Sequence, residues 1–202
     1  GLVFSVGTFA GLVAAFVSGT IADYIGRKRT MASGYIPMVI GLFTLAFFPW
    51  WPYVIIEWAL IWYGQGNVWI TAAAIPADEI AKDEGRNPAR RFMMVMMPLW
   101  FFDALGPLFG SFLLSSGFTS SYLHFIGGFG SIFALIATLL FVDESLGERT
   151  IEKAKTGPVI SFRELGKDFW KLVVGILIFS FFWSSAIQYL GNLCVNDWKV
   201  DT

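Results

Sequence analysis

Long apolar runs alternate with short polar connections along nearly the whole chain of 202 residues. Crossing the hydrocarbon core of a bilayer takes a helix of roughly twenty residues. Strands of a membrane barrel would instead alternate apolar and polar side chains, which these runs do not do. The pattern therefore predicts an all-α polytopic membrane protein, with spans at residues 2–22, 31–48, 53–76, 92–115, 121–142 and 170–191.

The connections between the runs are of two kinds, and the two kinds alternate. "FPWWPY" and "SSGFTSS" are short and carry no charge, whereas residues 23–30, 77–91 and 143–171 hold all but one of the 14 Lys and Arg residues. Positive loops remain on the cytoplasmic side of a membrane. Loops 23–30, 77–91 and 143–168 are therefore predicted to be cytoplasmic, and the protein is predicted to lie in the plasma membrane.

The charged stretch after the fifth run suggests a division into domains. Residues 1–142 are predicted to form an amino-terminal bundle of five spans, and residues 143–168 a cytoplasmic linker. Residues 169–202 then begin the first helix of a second bundle. We expect the chain to be part of a longer one, so that its partners include its own missing helices as well as the lipid bilayer.

Composition narrows the function further. The chain is 56% hydrophobic, 14% charged and has a mean hydropathy of +0.64, which excludes an ordinary soluble domain. With one His and one Cys, neither a metal site nor a disulfide framework is expected. The sequence contains no phosphate-binding or dinucleotide motif and no clustered nucleophiles, so we expect no cofactor, no nucleic-acid partner and no enzyme activity.

Two acids lie inside predicted spans, where an ionised carboxylate is costly unless it is paired or hydrated. Asp103 is central in its span and is the candidate for proton coupling; contact with the substrate and structural pairing remain alternatives. Glu57 lies one turn from the outer end of its span, and we expect it to be hydrated there.

The third span carries a polar and aromatic face. At 100° per residue, three indoles and one amide fall on one side of the helix. Such a face suits a sugar, a hydrophobic drug or an organic cation, and it equally suits helix packing. The candidate cavity residues are Trp58, Trp62, Gln65 and Trp69.

"GTIADYIGRKRT", between the first two runs, resembles the signature loop between helices two and three of the major facilitator superfamily. The matching positions are Gly19, Asp23, Gly26, Arg27 and Lys28. The resemblance extends over the whole chain as family helices two to seven. It implies the major facilitator fold: the amino-terminal six-helix bundle without its first helix, followed by the first helix of the second bundle.

Four further segments are similar to family motifs and follow in the expected order. "DEIAKDEGRNPARR" is similar to the connection between family helices four and five, with Glu79 and Arg91 at its acidic and basic positions. "GPLFGS" resembles a helix-bend motif best known from antiporters. "VDESLGER" and "QYLGN" are similar to sugar-porter segments. The residues concerned are Gly106, Pro107 and Gly110 in the bend motif, Glu144 in the third segment, and Gln188 and Asn192 as further cavity candidates.

The resemblance implies a secondary active transporter that moves a small-molecule substrate by alternating access. Asp23 would face a helix end of the second bundle, and Arg27 would pair with Glu79 or Glu144 to close the cytoplasmic side. The sugar-porter-like segments favour proton-coupled uptake of a sugar or small metabolite. Proton-driven efflux of a drug or metabolite is the alternative, and a receptor that binds without transporting is a remote one.

Alternating access requires two bundles that rock around one site. We therefore expect the 202-residue chain by itself to catalyse no vectorial flux when it is reconstituted in liposomes. Accumulation of any solute against a gradient by this chain alone would contradict the two-bundle interpretation.

Overall fold

The computed structural model describes residues 2–81 and 87–147, and separate positions at 166, 170, 171, 174, 175 and 178. Five α-helices follow one another in this part of the chain, and every regular element there is helical. The all-α prediction is confirmed. The helices are α1 (Leu2–Ile25), α2 (Arg27–Phe47), α3 (Tyr53–Ala81), α4 (Pro88–Ser115) and α5 (Ser120–Phe141).

The helices match the first five of the six predicted spans but extend beyond them at one end, and most of the sixth span, 170–191, lies outside the described residues. The ends on the predicted outer side agree to within a residue, whereas α1, α2, α3 and α4 each continue by about one turn into the charged connections that are predicted to be cytoplasmic. Hydropathy reports only the segment that lipid tails cover, while backbone hydrogen bonding continues into the polar headgroup region. The extra turns of α1 and α2 carry the charged residues of the loop at 23–30, and those of α3 and α4 carry Asp78, Glu79, Arg90 and Arg91.

Four of the helices are long and apolar enough to cross a membrane: α1, α2, α5 and the segment Ala89–Ser115 of α4. The longest helix, α3, is not among them, because its sequence includes Glu57, Gln65 and Asn67. This helix packs along both α1 and α2, so that protein covers two of its sides. A span at 53–76 remains an expectation from the sequence.

The helices pack in an order that differs from their order in the chain. α3 lies between α1 and α2, and α2 packs on its other side along α5. α4 contacts only α3 and α5, and only sparsely. All five helices belong to one compact unit, Gly1–Gly157; in the second unit, Pro158–Thr202, the described helical positions are 170, 171, 174, 175 and 178. The domain boundaries given above remain predictions.

Glycines allow α3 to approach its neighbours at backbone distance. A Cβ atom added to Gly34 of α2 would lie 2.9 Å from the carbonyl oxygen of Gly64, and one added to Gly41 would lie 2.7 Å from that of Glu57. On the α1 side, a Cβ on Gly66 would lie 2.6 Å from the carbonyl oxygen of Gly11. Small residues promote such contacts in membranes, where association depends on close van der Waals packing.

The face of α3 toward α2 is buried along its length. Its buried residues recur every three or four positions, as one stripe of a helix does. They are Glu57, Ile61, Gly64, Asn67 and Thr71.

The expectation that Glu57 is hydrated is wrong. Only 3% of this residue is exposed, and neither carboxylate oxygen has a hydrogen-bond partner in the described part of the chain. The reason is the rotation of α3, which turns position 57 into the same stripe as Gly64 and Asn67. Distance from the membrane surface does not by itself decide whether a side chain is hydrated.

We expect Gly34→Ala to destabilise the protein, because the new methyl group would collide with the backbone of α3, which no rotamer change can relieve. Overpacking of this kind costs about 1–3 kcal/mol. The matched control is Gly130→Ala in α5, where an added Cβ meets no described atom within 4 Å. Thermal unfolding in detergent, measured as the loss of monodisperse protein, should occur at a lower temperature only for Gly34→Ala. Equal melting of the two variants would contradict the close approach.

Candidate functional site

Charged residues from four parts of the fold meet on the predicted cytoplasmic side. They come from the last turn of α1, the first turn of α2, the last turns of α3 and the segment that follows α5. We call this group the cytoplasmic network; it consists of Asp23, Arg27, Asp78, Glu144 and Ser145.

Arg27 lies at the centre of the cytoplasmic network. Its Nη1 is 3.0 Å from Oδ1 of Asp23, and its Nε donates to Oδ2 of Asp78 at 3.1 Å. The same Asp78 oxygen accepts a hydrogen bond of 2.9 Å from the hydroxyl of Ser145. Only 15% of the Arg27 side chain is exposed, whereas half of the Asp23 side chain is. One guanidinium therefore joins the ends of α1 and α3 across the start of α2.

Glu144 caps α2 from a distant part of the chain. Its carboxylate accepts the main-chain N–H groups of Arg27 at 2.8 Å and Lys28 at 3.2 Å, which are among the unpaired donors of the first turn. A negative charge at a helix amino terminus is also favoured by the helix dipole, typically by about 0.3–1 kcal/mol. Gly26 is needed here for two reasons: its φ is +99°, and the Glu144 carboxylate occupies the space of a side chain.

The partners of Arg27 differ from those that the sequence predicted. Its side chain binds Asp78 rather than Glu79, and Glu144 binds the main chain of α2 rather than the guanidinium. Helix phase could have distinguished the two acids, because Asp78 follows Thr71 by seven residues and so continues the buried stripe of α3. Glu79 is exposed on α3 and Arg91 is exposed at the start of α4.

Sequence analysis missed Ser145 entirely, because no local pattern marks a hydroxyl that becomes buried by a helix distant in the chain. The wider role that the resemblance implies for Asp23, toward a second bundle, concerns residues outside the described part of the chain. It remains a prediction.

A cavity of about 440 Å³ opens between α1, α3 and α4. Its residues lie near the middle of each helix, at 8–15 in α1, 62–70 in α3 and Asp103 in α4. The cavity is thus about equally far from the two ends of the bundle. The lining consists of Thr8, Gly11, Leu12, Ala15, Trp62, Gln65, Gly66, Trp69, Ile70 and Asp103.

The cavity brings together most of the candidate binding residues. Trp62, Gln65 and Trp69 line it on one side, and Asp103 reaches it from α4. Trp58 belongs to the same face of α3 but is not in the lining; both it and Trp62 pack where Gly7 leaves room on α1. Gln188 and Asn192 lie outside the described residues.

The bend motif of α4 lies in an unbroken helix. α4 runs from Pro88 to Ser115 through both Pro98 and Pro107. A Cβ added to Gly106 or Gly110 would meet no described atom within 4 Å, and the same holds for Gly19 of α1. What these positions do in transport remains a prediction.

Neither group of residues resembles a metal or cofactor centre. Among the described residues, no three His, Cys, Asp or Glu side chains lie close enough together to hold a metal ion. What the arrangement offers is a bundle whose cytoplasmic helix ends are joined by charge and whose middle contains an aromatic cavity with one acid.

Comparison with known proteins agrees with this architecture. The family model described as Major Facilitator Superfamily matches residues 1–197. No curated protein and no solved structure matches the chain. Because the family model covers nearly the whole sequence, the chain belongs to the major facilitator superfamily, a family of secondary transporters embedded in the membrane by several helices.

Proposed function

We propose that this chain is part of a proton-coupled transporter of the plasma membrane that moves a small solute by alternating access. The observation that carries the proposal is the cavity between α1, α3 and α4, which holds Asp103 beside two indoles at the middle of the bundle. Secondary transporters bind substrate near the membrane midplane, where a site can open to either side in turn.

The cytoplasmic network would act as one gate of this transporter. Each of its contacts is modest, because partly exposed ion pairs contribute about 1 kcal/mol or less. Joined around Arg27, they hold the ends of α1, α2 and α3 and the segment after α5 in one arrangement. A gate needs such an interface, which is stable enough to close but is broken by a difference of a few kcal/mol between states.

Asp103 is the candidate proton carrier. Among the described residues of the cavity lining it is the only ionisable one, and no Lys or Arg occurs in the five spans predicted between residues 2 and 142. At the midplane of a membrane, a carboxyl group is favourable only when it is neutral or paired. Asp103 would therefore exchange its proton or its bound solute with whichever side of the membrane the cavity is open to.

The direction of transport has two candidates. The motifs favour proton-coupled uptake of a sugar or small metabolite. The cavity lining favours proton-driven efflux, because its surface is largely aromatic and aliphatic and offers few groups that could bind the hydroxyls of a sugar. We propose exchange for protons as the direction that the geometry supports best.

The gate can be tested by exchanging its charges. We expect Arg27→Asp to reduce flux at least tenfold in proteoliposomes that contain the full reading frame, and Arg27→Asp with Asp78→Arg to recover part of it. The reason is that the double variant restores an attractive pair between α2 and α3. Arg29→Gln is the control, because Arg29 is exposed on the same helix turn.

Cysteine labelling would show which step fails. In a background with Cys194→Ser and any other native cysteines replaced, a cysteine at position 15 should react faster with an impermeant thiol reagent added on the cytoplasmic side when Arg27 is replaced. Unchanged labelling and normal flux in the Arg27 variant would rule out the gating role.

Proton coupling can be tested at Asp103. We expect Asp103→Asn to abolish solute movement driven by an imposed pH gradient, because the amide side chain of Asn cannot bind and release a proton as a carboxylate does. Asp143→Asn is the matched control, since Asp143 is an exposed acid just beyond α5. Flux is measured with the inside of the liposome acidic and then alkaline, and its sign separates exchange from uptake. Retained uphill transport in the Asp103→Asn protein would place coupling at another residue.

A further inference from the structure

We infer that the cavity between α1, α3 and α4 binds an amphipathic organic monocation, and that this cation and a proton compete for the carboxylate of Asp103. The inference rests on the proposed function, because it names the solute class for the same cavity. It is carried by the charge, the aromatic content and the hydrogen-bonding capacity of the residues that line the cavity.

The first step concerns charge. The described lining of the cavity has one acid and no basic residue, so an ionised Asp103 makes this lining net negative. Among the described residues, the cations closest in sequence to a lining residue are Arg27 and Arg91, each twelve positions away. The predicted span that carries Asp103 lies in the low-dielectric core of the membrane, where a carboxylate attracts a positive ligand more strongly than it would in water.

The second step concerns the aromatic wall. Trp62 and Trp69 line the cavity from α3, and the ring of Trp100 lies 5.3 Å from that of Trp69, which extends the aromatic surface toward α4. Indole is the strongest of the aromatic side chains in attracting a cation over its face. The apolar part of such a ligand would pack against Leu12 and Ile70.

The third step concerns hydrogen bonds. A sugar needs a partner for most of its hydroxyls, because leaving polar groups unpaired in a site is costly. Besides Asp103, the polar side chains of the lining are Gln65 and Thr8, apart from the indole N–H groups, and the Thr8 hydroxyl already donates to the carbonyl of Phe4 at 2.9 Å. The described lining is therefore poor for a polyol and suitable for a ligand with one charge.

The cavity volume sets an approximate upper size. At about 440 Å³ it lies toward the lower end of the range of roughly 300–1,000 Å³ that is usual for small-molecule sites. A quaternary ammonium group joined to one aromatic ring would fit within it. A larger ligand would need the helices to separate.

Competition with a proton follows from the single acid. Only the ionised form of Asp103 attracts a cation, so protonation on one side of the membrane would release the ligand there. The other ionisable residues of α3 within its predicted span are Tyr53, Glu57 and Tyr63, and those of α5 are Tyr122 and His124; α1 has none before Asp23. The cavity lining includes none of these.

The test compares two ligands of nearly the same shape. Benzyltrimethylammonium carries a positive nitrogen where neopentylbenzene has a neutral carbon. Binding to the full reading frame in nanodiscs is followed by quenching of tryptophan fluorescence. At pH 8 we expect the cation to bind at least tenfold more tightly than the neutral compound. Its affinity should fall at least tenfold as the pH is lowered, because protons compete with it for the carboxylate, while that of the neutral compound stays constant.

Variants assign the effect to particular residues. Asp103→Asn should remove both the preference for the cation and the pH dependence of its affinity, without reducing the affinity for the neutral compound. Asp103→Glu should keep the preference for the cation. Trp69→Leu should reduce the affinity for the cation several-fold. Trp50→Phe, in the exposed loop before α3, and Asp143→Asn are the controls, and both should bind like the unmodified protein. Size-exclusion profiles and melting temperatures show which variants are folded. If Asp103→Asn does not fold, the affinities of the Asp103→Glu variant and the pH dependence of the unmodified protein still test the inference.

Several results would overturn the inference. Equal affinity for the two ligands would mean that charge is not selected. Tighter binding of glucose than of the cation would indicate a sugar site. Cation binding that is unchanged in the Asp103→Asn variant would mean that another group attracts the cation. These outcomes differ from a failure of the transport proposal, which would appear as Asp103-dependent binding without flux; flux of another solute without cation binding would overturn only the ligand class.

Discussion

The close approach of α3 to α1 and α2 is the constraint on which the rest of this structure depends. Glycines on all three helices bring backbone to backbone at distances that a single methyl group would prevent. In a membrane, where burying apolar surface drives little association between helices, such contacts are a principal source of packing energy. They also explain why α3, which carries Glu57, Gln65 and Asn67, can lie in the middle: protein covers two of its sides.

This position gives α3 two different faces. One stripe, from Glu57 to Thr71, is buried toward α2 and leads at its cytoplasmic end to Asp78. The nearly opposite face carries the indoles and the amide that line the cavity. A rotation or tilt of α3 would therefore change the cavity and the contact with Arg27 together.

The charged residues discussed above lie in separate places. The cytoplasmic network uses one guanidinium and three carboxylates, and one of these, Glu144, bonds to the main chain of α2 instead of to a cation. The segment after α5 is thereby tied to the start of α2. Deeper in the bundle, Asp103 is the one acid among the described residues that line the cavity. Glu57 is buried on the other side of α3, where it does not reach the cavity.

The sequence by itself determined the five described helices and their order, because hydropathy is a local property of the chain. Its placement of the charged loops on the cytoplasmic side remains a prediction. The sequence also identified Asp103 and the aromatic face as candidates. Tertiary structure decided that Asp78 rather than Glu79 meets Arg27, that Glu144 caps a distant helix, that Glu57 is buried, and that Trp62 but not Trp58 lines the cavity. Those outcomes depend on how each helix is rotated against its neighbours, and the rotation is set by contacts between residues far apart in the chain.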